Sequence, residues 1–246
     1  MSEFKHQRIE KCTGAEIIFF NHSLFLHEID KEHEYRYEKR FYRNFYEKIG
    51  NQTLFGSPRV IQFFGSSLPA ENFLQLLSTH TKTLQISDGT FTPDLEFNDI
   101  IKKAPNLEIL TIYGDGSNIT YDKGWIANSL EYKNGKNMKH VAVKPDISTE
   151  LDIENLVKFV NAKCAKDVRI DIQYVVEYEE LKEKKKERFD GICENVKEYY
   201  AEVRKNSNLQ IGFHQSEVER RFSFDKRKAN KKPKASTRVV TKRKRV

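Results

Sequence analysis

The sequence predicts an α/β fold in which parallel strands alternate with helices and one face of the sheet stays wet. Five short apolar runs carry that expectation: Leu84 to Ile86, Leu107 to Ile112, Met138 to Val143, Val168 to Ile172 and Leu209 to Phe213. Each alternates in the period-two manner of a strand. Helix-like sequence separates each run from the next, and a strand followed by a helix and another strand implies parallel pairing through right-handed crossovers. Fully buried parallel strands should read as nearly continuous apolar sequence. Here Glu108, Thr111, Lys139, Lys144, Arg169, Asp171 and Gln210 interrupt them, so one side of the sheet is expected to face solvent.

The runs also repeat. An apolar residue, two free positions, an apolar residue, one free position and an apolar residue recur as Leu107, Leu110, Ile112, then Met138, Val141, Val143, then Ala165, Val168, Ile170. Leu84 and Ile86 fit in part. The steps from Leu84 to Leu110, Val141, Val168 and Leu209 are 26, 31, 27 and 41 residues, enough for a strand, a loop and a few helical turns. Self-similarity on that scale marks stacked units that bury their cores only against one another.

Between the runs, Phe73, Leu74 and Leu77 follow Pro69 at the start of one helix, and Leu95, Ile100 and Ile101 precede Ala104-Pro105, where proline should end another. Leu151, Ile153, Leu156, Val157 and Val160 give an amphipathic face after Ser148 as N-cap, with Glu150 and Asp152 in the first turn. The longest helix is expected from about Glu177 to Lys205, its apolar side formed by Tyr178, Leu181, Phe189, Ile192, Val196, Tyr199 and Val203.

Two closures fit such a pattern: an open horseshoe with one exposed sheet face, or a doubly wound sheet covered on both faces, with ligands at the strand C-termini. The polar alternate positions favour the horseshoe. Pro105-Asn106 followed by Leu107-Glu108-Ile109-Leu110-Thr111-Ile112 resembles the strand segment of a leucine-rich repeat, and Met138 to Val143 and Ala165 to Ile170 are similar. The resemblance covers Val60 to Phe213. Where the family places Asn or Cys after the strand, this chain has Gly114-Asp115, Lys144-Pro145 and Asp171, so the repeats are irregular. Long, variable repeats of this kind resemble those of F-box and leucine-rich-repeat substrate adaptors of ubiquitin ligases, including the F-box-associated families of nematodes. The resemblance implies a non-enzymatic protein-recognition module. Leu68-Pro69-Ala70-Glu71-Asn72-Phe73-Leu74-Gln75-Leu76-Leu77 mimics the opening of an F-box, but Thr83 to Ile86 reads as a strand where a second helix is required. The segment reads instead as a proline-started helix.

The expected organisation is an N-terminal cap region at 1–58, a repeat domain at 59–215 and a basic disordered tail at 216–246. In the first, Ile17 to Phe20 is a further strand signal, and the aromatic-rich stretch from His27 to Ile49 is expected to cover the open end of the repeats. The net charge of +7 is unevenly placed: eleven of the 43 Lys and Arg lie between Lys226 and Val246, with no acid, leaving 32 against 36 Asp and Glu elsewhere. Such a block cannot offset its ordering entropy by burial. Lys226-Arg227-Lys228 and Lys242-Arg243-Lys244-Arg245 resemble nuclear import signals, which implies importin as a partner and a nuclear or cytoplasmic location. The same charges attract nucleic acid weakly and without sequence preference. Arg220-Arg221-Phe222-Ser223, at the expected join of body and tail, has the form basophilic kinases favour, with Ser223 as acceptor.

Enzyme chemistry finds less support. Asp88, Asp115, Asp146 and Asp171 follow strands, and in a doubly wound fold Asp88 and Asp115 would be metal ligands of a nucleotide or phosphoryl-transfer enzyme. Asp88-Gly89 and Asp115-Gly116 are also turn chemistry, the reading adopted here. Cys12, Cys164 and Cys193 lack paired spacing, so neither a disulfide framework nor a zinc site is expected. No run of about 18 apolar residues is present, so no membrane helix is expected. The expected function is partner binding through Glu108, Thr111, Lys139, Arg169 and Asp171, with no cofactor and no metal.

Overall fold

The computed structural model describes residues 18–20, 23–27, 54–65, 67–114, 116–175, 184–204, 206–214, 216 and 218–224. The aromatic-rich stretch after His27 and the basic tail from Lys226 lie outside the described residues. In chain order the strands are β1 (Ile18–Phe20), β2 (Ser23–His27), β3 (Leu54–Gly56), β4 (Val60–Phe64), β5 (Ser67–Pro69), β6 (Thr83–Ser87), β7 (Thr90–Thr92), β8 (Leu95–Glu96), β9 (Ile109–Tyr113), β10 (Ile119–Thr120), β11 (Met138–Val143), β12 (Cys164–Tyr174), β13 (Ala201–Glu202), β14 (Leu209–Phe213) and β15 (Glu219–Ser223). The helices are α1 (Ala70–Leu76), α2 (Phe97–Lys103), α3 (Trp125–Tyr132), α4 (Ile153–Lys163) and α5 (Lys184–Lys197).

Nine of the described strands form one mixed, mostly parallel sheet in the order β13, β15, β14, β12, β11, β9, β6, β4, β2. From β2 to β14 every pairing is parallel and each strand lies beside the next main-sheet strand along the chain. A doubly wound sheet needs a point where that order reverses, and ligands bind in the crevice it opens. No reversal occurs between β2 and β14 among the described strands. Strands β15 and β13 finish the sheet in antiparallel fashion.

The described helices gather on one side. Phe97, Ile101, Trp125, Ile126, Leu156 and Phe159, from α2, α3 and α4, share one enclosed apolar space with Leu110, Val141 and Ile170 of the sheet. The Phe73 ring of α1 lies 5.4 Å from Phe63, and the Phe189 ring of α5 lies 4.7 Å from Phe213, on the same side by strand alternation. Ile61, Leu84, Leu110, Val141, Ile170 and Leu209 stand opposite one another across six strands and are at most 5 % exposed. Each such burial favours folding by about 1.5–3 kcal/mol relative to exposure.

Several expectations shift. Ile170, not Val168, is the register partner of Val141, because β12 begins directly at the end of α4 and the pairing slips after Met138. A shift of two residues keeps the same side chains toward the helices. The α4 cap is Asp152, whose Oδ1 accepts the Asn155 N–H at 2.9 Å, while Ser148 lies in a turn bonded to Asp146. Helix α5 ends at Lys197, short of Lys205, because β15 captures Ala201 and Glu202 as β13 and Tyr200 packs against Phe224. The boundaries move as well. Strand β2 pairs with β4 inside the stretch assigned to the cap, and β15 lies inside the stretch assigned to the tail.

Each junction between units is closed by a different side chain reaching a backbone carbonyl of an earlier unit. The Thr81 hydroxyl donates to Pro58 O at 3.1 Å, Asn106 Nδ2 to Thr79 O at 2.7 Å and Asn118 Nδ2 to Phe91 O at 2.7 Å. Later junctions use Lys144 Nζ on Gly114 O at 2.6 Å and Lys163 Nζ on Lys133 O at 2.5 Å, and Asn208 Nδ2 lies 3.3 Å from Val168 O. Buried carbonyls left unpaired are costly, and amide, hydroxyl and ammonium groups all satisfy them.

Candidate functional site

The sheet face away from the helices carries a polar groove of about 410 Å³. Its side chains come from five neighbouring strands: Tyr113 of β9, His140 of β11, Arg169 and Asp171 of β12, Gln210 of β14 and Arg221 of β15, with the loop 206–208 at one side. Register explains the convergence. His140 is the partner of Arg169, Asp171 the partner of Gln210, and Gln210 the partner of Arg221. Between Thr111 and Asp171 the same level is filled only by the methyl of Ala142, which leaves room above it.

The charges differ in how well they are satisfied. Arg221 pairs with Glu219, which also accepts from Gln210 Nε2 at 2.5 Å. The Arg221 Nε–H is buried without an acceptor among the described residues. Asp171 Oδ1 accepts from Gln173 Nε2 at 2.6 Å. Burial raises the Asp171 carboxyl above its ordinary pKa, with the Gln173 hydrogen bond and His140 opposing that shift and Glu219 adding to it. Burial lowers His140, with Asp171 opposing and Arg169 reinforcing. Burial and the Asp171 charge raise the Tyr113 phenol. The groove therefore offers a guanidinium, a half-buried carboxylate, an imidazole biased to its neutral form and several amides. Perturbed titratable groups converging in a cleft mark a functional-site candidate.

Of the five residues read from the sequence, Arg169 and Asp171 line this groove, and Thr111 lies on the same face but is only 4 % exposed. Glu108 and Lys139 stand one step before the face, where Lys139 Nζ donates to Glu108 Oε2 at 2.7 Å. Lys139 takes the rim position that Glu108 takes on the preceding unit, its N–H donating to Glu108 O at 2.7 Å, and His140 follows it onto the face as the partner of Ile109. Sequence reasoning missed Tyr113, His140 and Arg221. Alternation counted back from Ala142 finds His140, but the basic character of Arg220-Arg221 hid a strand.

Asp88 and Asp146 serve turns. Asp88 adopts φ +53° and its Oδ1 accepts the Gly116 N–H at 3.3 Å. Asp146 Oδ1 accepts the Ser148 N–H at 2.6 Å, and Asp115 lies outside the described residues. No cluster of three His, Cys, Asp or Glu suited to a metal ion occurs among the described residues. Burial pushes the Cys164 and Cys193 thiols up to about 12, which suppresses the reactive thiolate. Ser223 sits in β15 between β14 and β13, so a kinase could reach it only after that strand left the sheet. Lys226, Arg227, Lys228, Lys242, Arg243, Lys244 and Arg245 lie outside the described residues. None of the described helices is long and apolar enough to cross a membrane.

No protein-family model, no curated protein and no solved structure matches the chain.

Proposed function

We propose that this chain is a non-enzymatic protein-binding scaffold, an irregular leucine-rich-repeat-like horseshoe that receives its partner on the sheet face opposite the described helices. One observation carries the reading: five successive strands present Tyr113, His140, Arg169, Asp171, Gln210 and Arg221 to a groove on the face opposite every described helix. The chain-order succession of parallel strands and the junctions closed by varied side chains support an irregular repeat. The likeness to the recognition half of F-box and leucine-rich-repeat adaptors makes a substrate-recognition role the specific form of the proposal. In this reading the clusters at Lys226 and Lys242 engage importin, and the protein divides between nucleus and cytoplasm.

Affinity capture with tagged wild type and the variants Tyr113→Ala and Arg169→Glu tests this. The reading expects the captured partner to disappear from both variants while Tm stays within a few degrees of wild type. Retention of the same partner by both folded variants contradicts it.

A further inference from the structure

The two rims of the parallel sheet carry opposite charge. Segments 57–59, 77–82, 102–108, 133–139 and 163–169, which lead into the strands, contain ten Lys or Arg and two acids. Segments 67–71, 88–99, 116–124 and 144–154, which lead out of them, contain ten acids and two Lys. Helix dipoles account for part of this, since acids stabilise the first turn of a helix and bases the last. Glu71, Asp99 and Glu154 occupy first turns, but of the ten rim cations only Lys102, Lys103 and Lys163 occupy last turns. Lys133 is the C-cap of α3, and the other six cations lie outside the helices, where the dipole no longer reaches.

Four charged residues form a rung across neighbouring units. The Arg59 carbonyl accepts from the N–H groups of Lys82 and Thr83 at 2.8 and 3.0 Å. The Lys82 carbonyl accepts from Glu108 and Ile109 at 2.7 and 3.0 Å, and the Glu108 carbonyl from Lys139 and His140 at 2.7 and 3.2 Å. Arg59, Lys82, Glu108 and Lys139 thus hold one repeat position on successive strands, about 4.7–4.9 Å apart. One carboxylate faces three cations. Arg169, exposed at the start of the groove, lies one step beyond the rung as the register partner of His140 on β12, and its side chain makes no ion pair or hydrogen bond among the described residues.

We infer that this rung is the docking site for an acidic segment of the partner protein, which crosses the starts of β4, β6, β9 and β11 and enters the groove at Arg169. The inference rests on the protein-binding reading and names the chemistry of what is bound. Charge complementarity sets the sign of the partner, and the rung's own order selects a polypeptide over a nucleic acid. A phosphate backbone would bring an anion onto Glu108, whereas a peptide can place a Lys or an amide there and acids beside it. The neighbouring face row of Val60, Thr83, Ile109 and His140 holds no Phe, Tyr or Trp on which bases could stack.

The test uses the full-length chain with its eleven tail cations changed to Gln, so that the tail cannot bind the probes. Labelled poly-glutamate and an oligo-thymidylate of equal charge are titrated by fluorescence anisotropy. Arg59→Glu/Lys82→Glu is compared with Lys123→Glu/Lys158→Glu, which removes the same net charge elsewhere; Arg59→Gln/Lys82→Gln replaces the reversal pair if it fails to fold. The expected result is an affinity for poly-glutamate about tenfold weaker in the rung variant, close to wild type in the control pair, and stronger than that for oligo-thymidylate. Equal losses in both pairs overturn the inference in favour of net charge alone, and tighter binding of oligo-thymidylate overturns it in favour of nucleic acid. If the rung variant still captures the cellular partner while Arg169→Glu does not, the scaffold reading stands and this inference falls.

Discussion

Lys139 Nζ lies 2.7 Å from Glu108 Oε2, joining β11 to β9 at the rim where Lys82 Nζ also approaches the same carboxylate at 3.8 Å. The Lys139 hydrogen bond, with Lys82 and Arg59 acting the same way, holds the Glu108 carboxyl below its ordinary pKa of 4.5. A lowered carboxyl contributes stability above its unfolded pKa and loses it as pH falls through the folded value. Glu108→Gln should cost under about 1 kcal/mol at pH 7, because Lys139 is largely exposed. Thermal melts from pH 7 to pH 3 should show that the wild type's advantage over the variant disappears below pH 4.5.

Asp171 is the opposite case. Burial raises its pKa, so the native state gains stability relative to the unfolded chain as pH falls through the folded value toward 3.8, and loses it as pH rises. Asp171→Asn removes the desolvated charge and should raise the urea midpoint at pH 7 while flattening its pH dependence above 3.8. Loss of the captured partner in the same variant would mark a residue kept for binding at a cost in stability. A lower midpoint at pH 7 speaks against this account of the groove.

Lys133 is fully buried, its ammonium donating to Asn134 O and Asn137 Oδ1 at 2.5 Å each. Burial, with Lys82 and Lys163 adding to it, lowers its pKa from 10.5 to about 8. A lowered base contributes stability above its unfolded pKa that is lost as pH falls through the folded value. Denaturant titrations should therefore show wild-type stability rising from pH 8 to 10.5, relative to Lys133→Met, and a parallel pair of curves would contradict the assignment.

Gly114 takes φ +84°, and a Cβ built there would lie 1.9 Å from Asp88 Oδ1 and 2.6 Å from the Asp88 backbone nitrogen. The turn after β9 thus rests directly on the turn after β6. Gly114→Ala should destabilise the protein by about 1–3 kcal/mol in chemical denaturation. Adding Asp88→Ala should recover only part of the loss, since the backbone contact remains.

Period-two alternation made the strands legible: Leu84 with Ile86, Leu110 with Ile112 and Leu209 with Ile211 bury one face, and the sequence between them had room for a helix. The order of the strands followed, because short crossovers bring consecutive strands together. The groove was legible only in part. Arg169 and Asp171 kept the alternation, and so does His140 two residues before Ala142, whereas Lys139 has the parity of Val141 and Val143 and reaches the rim only because it precedes the paired face, as Glu108 does. Helical spacing at Tyr199 and Val203 extended α5 on paper, yet pairing with β15 took Ala201 and Glu202 into the sheet. That strand was itself concealed by Arg220 and Arg221, whose charges are met by Glu202 and Glu219. The junction bonds left no single recurring letter at a fixed place, because a Thr hydroxyl, Asn amides and Lys ammonium groups close different units.

Blocking each side of the sheet in turn tests most directly that the partner occupies the face opposite the described helices. In a Cys12→Ser background, Tyr113→Cys or Lys158→Cys is labelled with a maleimide-linked polymer, Cys164 and Cys193 being buried. Labelling at 113 should abolish partner capture and labelling on α4 at 158 should leave it intact. Capture that survives the polymer at 113 and fails with the polymer at 158 would place the partner on the helices and contradict the account.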